Sequence, residues 1–239
     1  LQGTRKDSYG FAHHLTDEPK RWMLSNTTAP NNLVMNGELM FDAPWVIETM
    51  QYFADIINVH KIHPSWATMN DIGKAQLFLD GKAAMIQSGS WEIPAFRDAT
   101  FQWDLLPIPT KVRAVTEASM VNYSIMAGTD NPEEAALFAK FTLEEEPQKI
   151  WGKHTGHTPS LIEAAKDISI WAGDVPAKNE HILVDALTYT YYGPFNEPGW
   201  YQARTVLKPY LADIYNGAKP AAELMMLADK KGQEAIDKR

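Results

Sequence analysis

The sequence predicts an α/β protein with a helical C-terminal tail, on three observations. Short apolar runs that read as strands alternate with amphipathic helical stretches up to about residue 160. Start and stop signals bracket the helices, Asn131-Pro132-Glu133-Glu134 at one start and Gly81 at one stop. After Ser160 the pattern is helical only, which places the strands early and the helices late.

Taken in order, Ser8–Ala12 is a short apolar run, and His13 to Pro19 leads into a helix near Trp22. Thr27–Asp42 is rich in Asn, Thr, Pro and Gly and reads as loop with a hairpin at Asn36-Gly37. Asp42 is positioned to cap a helix with Pro44 in its first turn and Val46, Met50, Phe53 and Ile57 on one stripe. A second helix is expected from Met69 to Asp80, with Ile72, Ala75, Gln76 and Leu79 on one side. Gly81 ends it, Ala83–Gln87 forms a buried strand, and Ser88-Gly89-Ser90 turns into a new helix carrying Trp91. Phe101–Pro109 and Ala118–Ala127 read as strands, the first closed by two prolines. Helices then follow at Asn131–Thr142 and Pro147–Lys153, and later at Ser160–Lys166, Asn179–Tyr192, Gly199–Asn216 and Pro220–Lys238. Pro209 is expected to kink the helix that contains it.

The chain has 239 residues, 45% hydrophobic and 22% charged, enough for one large domain or two small ones. Its formal charge of −8 argues against nucleic acid or an anionic membrane as partner. No cysteine is present, which excludes disulfides and thiolate chemistry without choosing a compartment. No run reaches the length of a membrane span, and the opening Leu1-Gln2-Gly3-Thr4 suggests a residue 1 that is not the natural start. Eight Trp and nine Tyr favour an aromatic-lined ligand site.

Two places gather the chemistry for holding a polar ring. At Ser90-Trp91 a loop enters a helix, so backbone N–H groups stand beside a flat indole, a place to hold a polar, ring-shaped ligand. The competing reading of Trp91 is a core ring packed under the helix. At Glu197-Pro198-Gly199-Trp200-Tyr201-Gln202-Ala203-Arg204 an aromatic and a cation fall on one helical face, Arg204 donating to hydroxyls and Glu197 accepting. The competing reading there is a surface helix with an ordinary ion pair. Asn122 could reach a cleft as donor and acceptor, although a satisfied strand or turn asparagine is the commoner case. His60/His63, His154/His157 and His13-His14 lack the ligand pattern of a metal site and read as solvated or capping. No metal, no phosphate loop and no nucleophile elbow is indicated. Ser90 has no partner base, and no cofactor is called for.

Phe78-Leu79-Asp80-Gly81-Lys82-Ala83-Ala84-Met85 with Gly89-Ser90-Trp91, then Trp103–Pro109, Asn131–Phe138, and Trp200-Tyr201 with Arg204 before a closing helix, form an ordered series. In that order and spacing the chain resembles the family 1 extracellular solute-binding proteins of ABC importers, the group that includes maltose-binding protein. The resemblance implies a periplasmic-binding-protein-like (type II) two-lobed α/β fold that closes on a sugar or related solute and presents it to a membrane permease. It implies that residues 1–119 and 162–239 build the second, C-terminal lobe and that 120–161 return to the first. The family's opening strand-helix-strand unit has no counterpart here, so the sequence looks like part of a longer chain, its signal peptide removed.

By the same resemblance Trp91, Ser90, Trp200, Tyr201, Arg204, Glu197, Glu18 and Asn122 are expected to meet the ligand, with Asp17 competing with Glu18. The expected setting is periplasmic, or an extracellular lipoprotein, as a monomer working with permease subunits. The expected partner is a carbohydrate or related small solute: an acidic sugar would recruit more Arg and Lys than Arg204 alone, which favours a neutral oligosaccharide and leaves a polyol or glycerophospho compound open. Nucleotide hydrolysis belongs to another subunit, and no enzymatic step is implied. The alternative is a glycoside-processing enzyme in which Glu18 and Glu197 form a carboxylate pair.

Overall fold

The computed structural model describes residues 8–15, 19–28, 33–118, 121–168, 179–191 and 197–238. Its elements are α1 (Pro19–Ser25), β1 (Val34–Met35), β2 (Glu38–Leu39), α2 (Pro44–Asn58), α3 (Trp66–Asp71), α4 (Lys74–Leu79), a 3₁₀ turn (Ser90–Glu92) running into α5 (Ile93–Phe96), and β3 (Thr116–Glu117). There follow α6 (Pro132–Phe141), α7 (Glu145–Thr155), α8 (Ile162–Lys166), α9 (His181–Asp185), a 3₁₀ turn (Ala186–Tyr189), β4 (Thr190–Tyr191), α10 (Trp200–Tyr215) and α11 (Ala221–Asp237). The chain divides into two compact units. Unit 1 is Leu1–Ser88, Ile108–Glu117 and Thr190–Arg239, and unit 2 is Gly89–Pro107 and Ala118–Tyr189.

Unit 1 is organised by α2, whose expected stripe of Val46, Met50, Phe53 and Ile57 is buried throughout. Spacings of four, three and four put one apolar line along the helix, and α10 and α11 pack against it with Leu207, Leu211, Ile214, Leu224 and Met225. Removing each such side chain from water stabilises the fold by roughly 1.5–3 kcal/mol. Asp42 does not cap α2: the N-cap is Ala43 and no side chain bonds there, because Pro44 at the helix start already lacks one of the donors that a cap would satisfy. The hairpin forms at Asn36-Gly37, both with positive φ (55° and 85°), and pairs Val34 with Leu39 and Met35 with Glu38. It is fastened to α11 by the Leu39 N–H donating to Gln233 Oε1 (3.0 Å) and the Phe41 N–H to Asp229 Oδ1 (2.8 Å).

The expected helix from Met69 to Asp80 is two helices, α3 and α4, parted at Gly73 with φ +80°. The side chain it buries is Leu77, at 1% exposure, whereas Ile72 is exposed. Ala83–Gln87 pairs in parallel with the run at Tyr9–Ala12 through bridges Tyr9↔Ala83 and Ala12↔Ile86. The pairing is laced by the Ala84 N–H to Tyr9 O (2.9 Å) and the Gln87 N–H to Ala12 O (2.9 Å). A second parallel pair, β3 with β4, aligns Thr116 with Thr190. The helix expected over Asn179–Tyr192 is therefore broken into α9, a 3₁₀ turn and a strand. Pro209 lies inside α10, which continues through it.

Two histidines expected to be solvated or capping are core residues of unit 1. His13 and His63 are 0% and 2% exposed, with ring centroids 4.7 Å apart. His63 Nε2 accepts the His13 backbone N–H (3.0 Å) while Nδ1 faces the Pro64 carbonyl (2.7 Å), so the hydrogen resides on Nδ1 and the ring is held neutral.

In unit 2 the buried apolar side chains among the described residues are Ile93, Phe96, Trp103, Pro159, Ala164 and Ala165. Neither Phe101–Pro109 nor the described part of Ala118–Ala127 within unit 2 forms a ladder. Trp103 instead turns into the core and its indole N–H donates to the Phe96 carbonyl (2.9 Å). Prolines at 107 and 109 deny donors to any ladder there, and residues 121–126 find no strand partner among the described residues. The amphipathic helix α6 is present, but Leu137, Phe138 and Phe141 are all exposed.

Candidate functional site

The Ser90-Trp91 site in unit 2 is built on glycines. The indole of Trp91 lies so close over Gly89 that a Cβ there would fall 2.0 Å from Cζ3, so residue 89 has to be glycine for the ring to lie flat. Ser90–Glu92 is a 3₁₀ turn and α5 adds only four residues, so the expected helix start with its array of free N–H groups is much shorter than the sequence suggested. The feature of this point best suited to a ligand is therefore the ring and not an array of N–H groups. Trp91 is 48% exposed, which separates it from the buried Trp103 of the same unit.

One aromatic ring, His157, stands beside it, and Trp151 in turn stands beside His157. Helix α7 ends at Gly156, whose φ of +72° and N–H to the Gly152 carbonyl (2.8 Å) form a left-handed C-cap. A Cβ on Gly156 would sit 2.2 Å from the Ser90 carbonyl oxygen, so this glycine lets the end of α7 pack against the turn that carries Trp91. The next residue, His157, thereby places its ring 6.4 Å from Trp91 at an interplanar angle of 31°. On α7 itself Trp151, 44% exposed, lies 6.4 Å from His157 on that ring's other contact, at 43°. Arg97 Nη1 donates to the Lys153 carbonyl (2.7 Å) and ties the end of α5 to the last turn of α7. Sequence reading missed Trp151 and His157 because they lie some sixty residues beyond Trp91. The one local sign was Gly156, a helix-stop glycine between threonine and histidine.

Glu197, Trp200, Tyr201 and Arg204 belong to unit 1. Trp200 is 2% exposed, set edge-on against Phe41 (6.3 Å, 75°) with Lys20 Nζ 6.0 Å from its ring centroid. Trp200 and Arg204 line one cavity with Lys20, Lys208, Leu33 and Phe41, and its volume is about 20 Å³, room for a water molecule and not for a sugar. Next to it the Glu117 carboxylate is shared by Lys20 (3.6 Å) and Arg21 (3.3 Å), all three side chains buried. Burial pushes the nearby Tyr191 phenol well up, and the charges of Glu117 and Glu197 push it further. The Glu197 carbonyl accepts the Trp200 N–H (3.2 Å). Tyr201 is exposed on the same helix, and Arg204 is half-buried.

Of the remaining expected residues, Asn122 is exposed in the unpaired run of unit 2, and Glu18 and Asp17 lie outside the described residues. Ser90 contributes its backbone carbonyl to the Gly156 contact. No group of three or more His, Asp or Glu side chains able to hold a metal occurs among the described residues.

A family model described as bacterial extracellular solute-binding protein matches residues 4–179. The chain is 25% identical over 164 residues to a galactooligosaccharide-binding protein of Bacillus subtilis (strain 168), covering 67% of this chain and 35% of that one. It is 29% identical over 137 residues to a maltotriose-binding protein of Pyrococcus abyssi (strain GE5 / Orsay), covering 54% and 29%. Among solved structures, the ABC substrate-binding protein Lmo0181 from Listeria monocytogenes in complex with cycloalternan superposes with a TM-score of 0.83 at 19% identity, over 99% of this chain and 61% of that one. The chain thus spans about a third of the length of these sequence relatives and about three fifths of that structure. The structural likeness establishes the fold expected from the sequence, the periplasmic-binding-protein-like type II class.

Proposed function

The chain belongs to the family of bacterial extracellular solute-binding proteins, and on that footing we propose that it acts as the solute-binding component of an ABC importer. The solute is a sugar or oligosaccharide, captured without chemical change and passed to membrane permease subunits. The observation that carries this reading is Trp91, a half-exposed indole laid flat on Gly89. Such a surface gains by covering the apolar C–H face of a pyranose while the hydroxyls remain available to polar neighbours. The sugar-binding relatives support the choice of ligand class.

Delivery requires two states of different ligand affinity, and the ligand shifts the population toward the one that it bridges. The lobe assignment of 1–119 with 162–239 against 120–161, and a first-lobe unit ahead of Leu1, belong to the same proposal. So does a location outside the cytoplasm, periplasmic or as a lipoprotein. The exposed apolar residues of 121–126 and α6 support a further segment that covers them. The alternative enzyme with Glu18 and Glu197 as a carboxylate pair has no counterpart among the matched relatives, which are binding proteins.

Calorimetric titration against a panel of mono- and oligosaccharides tests the proposal. Saturable binding with no release of shorter sugars is the expected result. Turnover abolished by Glu197→Gln would replace it with the enzymatic reading, and absence of any sugar binding would overturn both.

A further inference from the structure

We propose that the cavity between α1 and α10 of unit 1 binds one small anionic group, a free halide or a single oxygen of a carboxylate. The inference goes beyond the sugar-binding reading and stands without it.

The cavity is lined by cations and a donor, and by no carboxylate. Trp200, Arg204 and Lys208 follow one another at four-residue spacing, so they share one stripe of α10, and α1 brings Lys20 to the same place. The remaining walls are apolar. Like charges one turn apart on a helix repel each other, a cost that an anion beside both of them turns into a gain.

The indole of Trp200 is an independent sign. Trp200 is 2% exposed, and its Nε1 is buried without an acceptor among the described residues. A buried donor left unpaired carries its full desolvation penalty, which an acceptor in the cavity removes.

The charge balance beside the cavity points the same way. Lys20 and Arg21 share the single carboxylate of Glu117, all three buried, and Arg21 Nη1 is a second buried donor without an acceptor among the described residues. Two buried cations on one carboxylate leave positive charge away from water, where a counter-ion is worth most. The carboxylates whose charges reach Tyr191, Glu117 and Glu197, do not line the cavity. Size then restricts the occupant. About 20 Å³ admits one atom-sized group, so chloride or one carboxylate oxygen enters and the four oxygens of sulfate do not.

Thermal unfolding of the full chain in sodium chloride, against sodium sulfate at equal ionic strength, tests the site in wild type, Lys208→Gln, Arg204→Gln and Trp200→Phe. Screening is the same in both salts and general stabilisation is greater in sulfate, so chloride exceeds sulfate only by occupying a site. The expected result is a rise of the melting temperature by a few degrees to a plateau in chloride alone. The chloride concentration at half effect should increase about tenfold in Lys208→Gln and in Arg204→Gln, and less in Trp200→Phe. Lys208 is exposed, so its variant reports on the site even where the Arg204 or Trp200 variant fails to fold.

Sodium glucuronate and glucose separate the two sources of the anionic group. Displacement of chloride by glucuronate and not by glucose supports the site and assigns its occupant to an acidic solute, whereas saturable chloride that neither displaces supports a free halide. Equal effects of chloride and sulfate, a chloride effect without a plateau, or an unchanged half-effect concentration in Lys208→Gln overturns the proposal. The cavity then holds water only, and the sugar-binding reading is untouched.

Discussion

The two compact units dispose of their apolar residues in opposite ways. Unit 1 buries Val46, Met50, Phe53 and Ile57 of α2 against α10 and α11, and even a tryptophan and two histidines are sealed inside it. Unit 2 buries few large side chains and exposes Val121, Met126, Leu137, Phe138 and Leu143, with Trp91 and Trp151 half in water. The difference separates residues that the sequence could not. Trp91 and Trp200 both lie within two residues of a glycine at the start of a helical turn, yet one is a ring presented to solvent and the other a wall of a cavity the size of a water molecule. Burial makes Trp200 a core residue of unit 1, whereas Trp91 keeps the exposed face that the proposed recognition requires.

The sharpest way to break the contrast is to cut one side chain from each unit. Phe53→Ala, at a fully buried position, is expected to cost about 3–5 kcal/mol in denaturant unfolding. Phe138→Ala, on the exposed face of α6, is expected to stay within roughly 0.5 kcal/mol. Similar costs would show that α6 is covered in solution.

Next in size is the buried charge pairing of unit 1. Glu117→Gln removes the carboxylate that Lys20 and Arg21 share and should cost on the order of 3–5 kcal/mol, while Glu163→Gln, whose exposed pair with Lys166 is screened by water, should be neutral. Equal effects in chemical denaturation would contradict the burial of the triad.

Acid should act on unit 1 through its histidines. Burial lowers His63 to about 4 and His13 well below its ordinary value, the latter helped by the neighbouring charges of His63, Lys74 and His14. The folded rings resist a proton that the unfolded rings accept near pH 6.5, so stability is full above about that pH and falls as pH drops toward 4. His63 alone accounts for roughly 3 kcal/mol of this loss. Melting temperatures followed from pH 7 to 4 should fall accordingly, and His63→Gln should flatten the dependence. An unchanged slope in that variant would remove His63 from the account.

The smallest expected effect sharpens the site. Gly156→Ala forces a side chain into a left-handed backbone and against the Ser90 carbonyl, costing roughly 1–3 kcal/mol, and should shift His157 away from Trp91. Sugar affinity should drop with it. A variant that loses stability and binds sugar as before would show that the loop position does not matter.

How much of this was legible depends on whether the cause was local. The α2 stripe and the Asn36-Gly37 turn were readable because helical periodicity and positive-φ residues act within a few positions. The strands at 101–109 and 118–127 were not, because an apolar run becomes a strand only when a partner is placed beside it. Gly73 split an apparently continuous helix by adopting φ +80°, a choice that its sequence neighbours do not display. Trp91 was legible as a ring at a turn, but Trp151 and His157 join it only through the close packing allowed at Gly156. The burial of His13 and His63 depends likewise on a contact between residues fifty positions apart.

The central claim is that recognition rests on the exposed ring of unit 2. Calorimetric titration of wild type, Trp91→Ala and Trp200→Ala with the tightest-binding oligosaccharide, alongside thermal unfolding of each, tests it most directly. The account predicts that Trp91→Ala loses roughly ten- to a hundredfold in affinity at unchanged melting temperature, and that Trp200→Ala loses mainly stability. An affinity untouched by Trp91→Ala would contradict it.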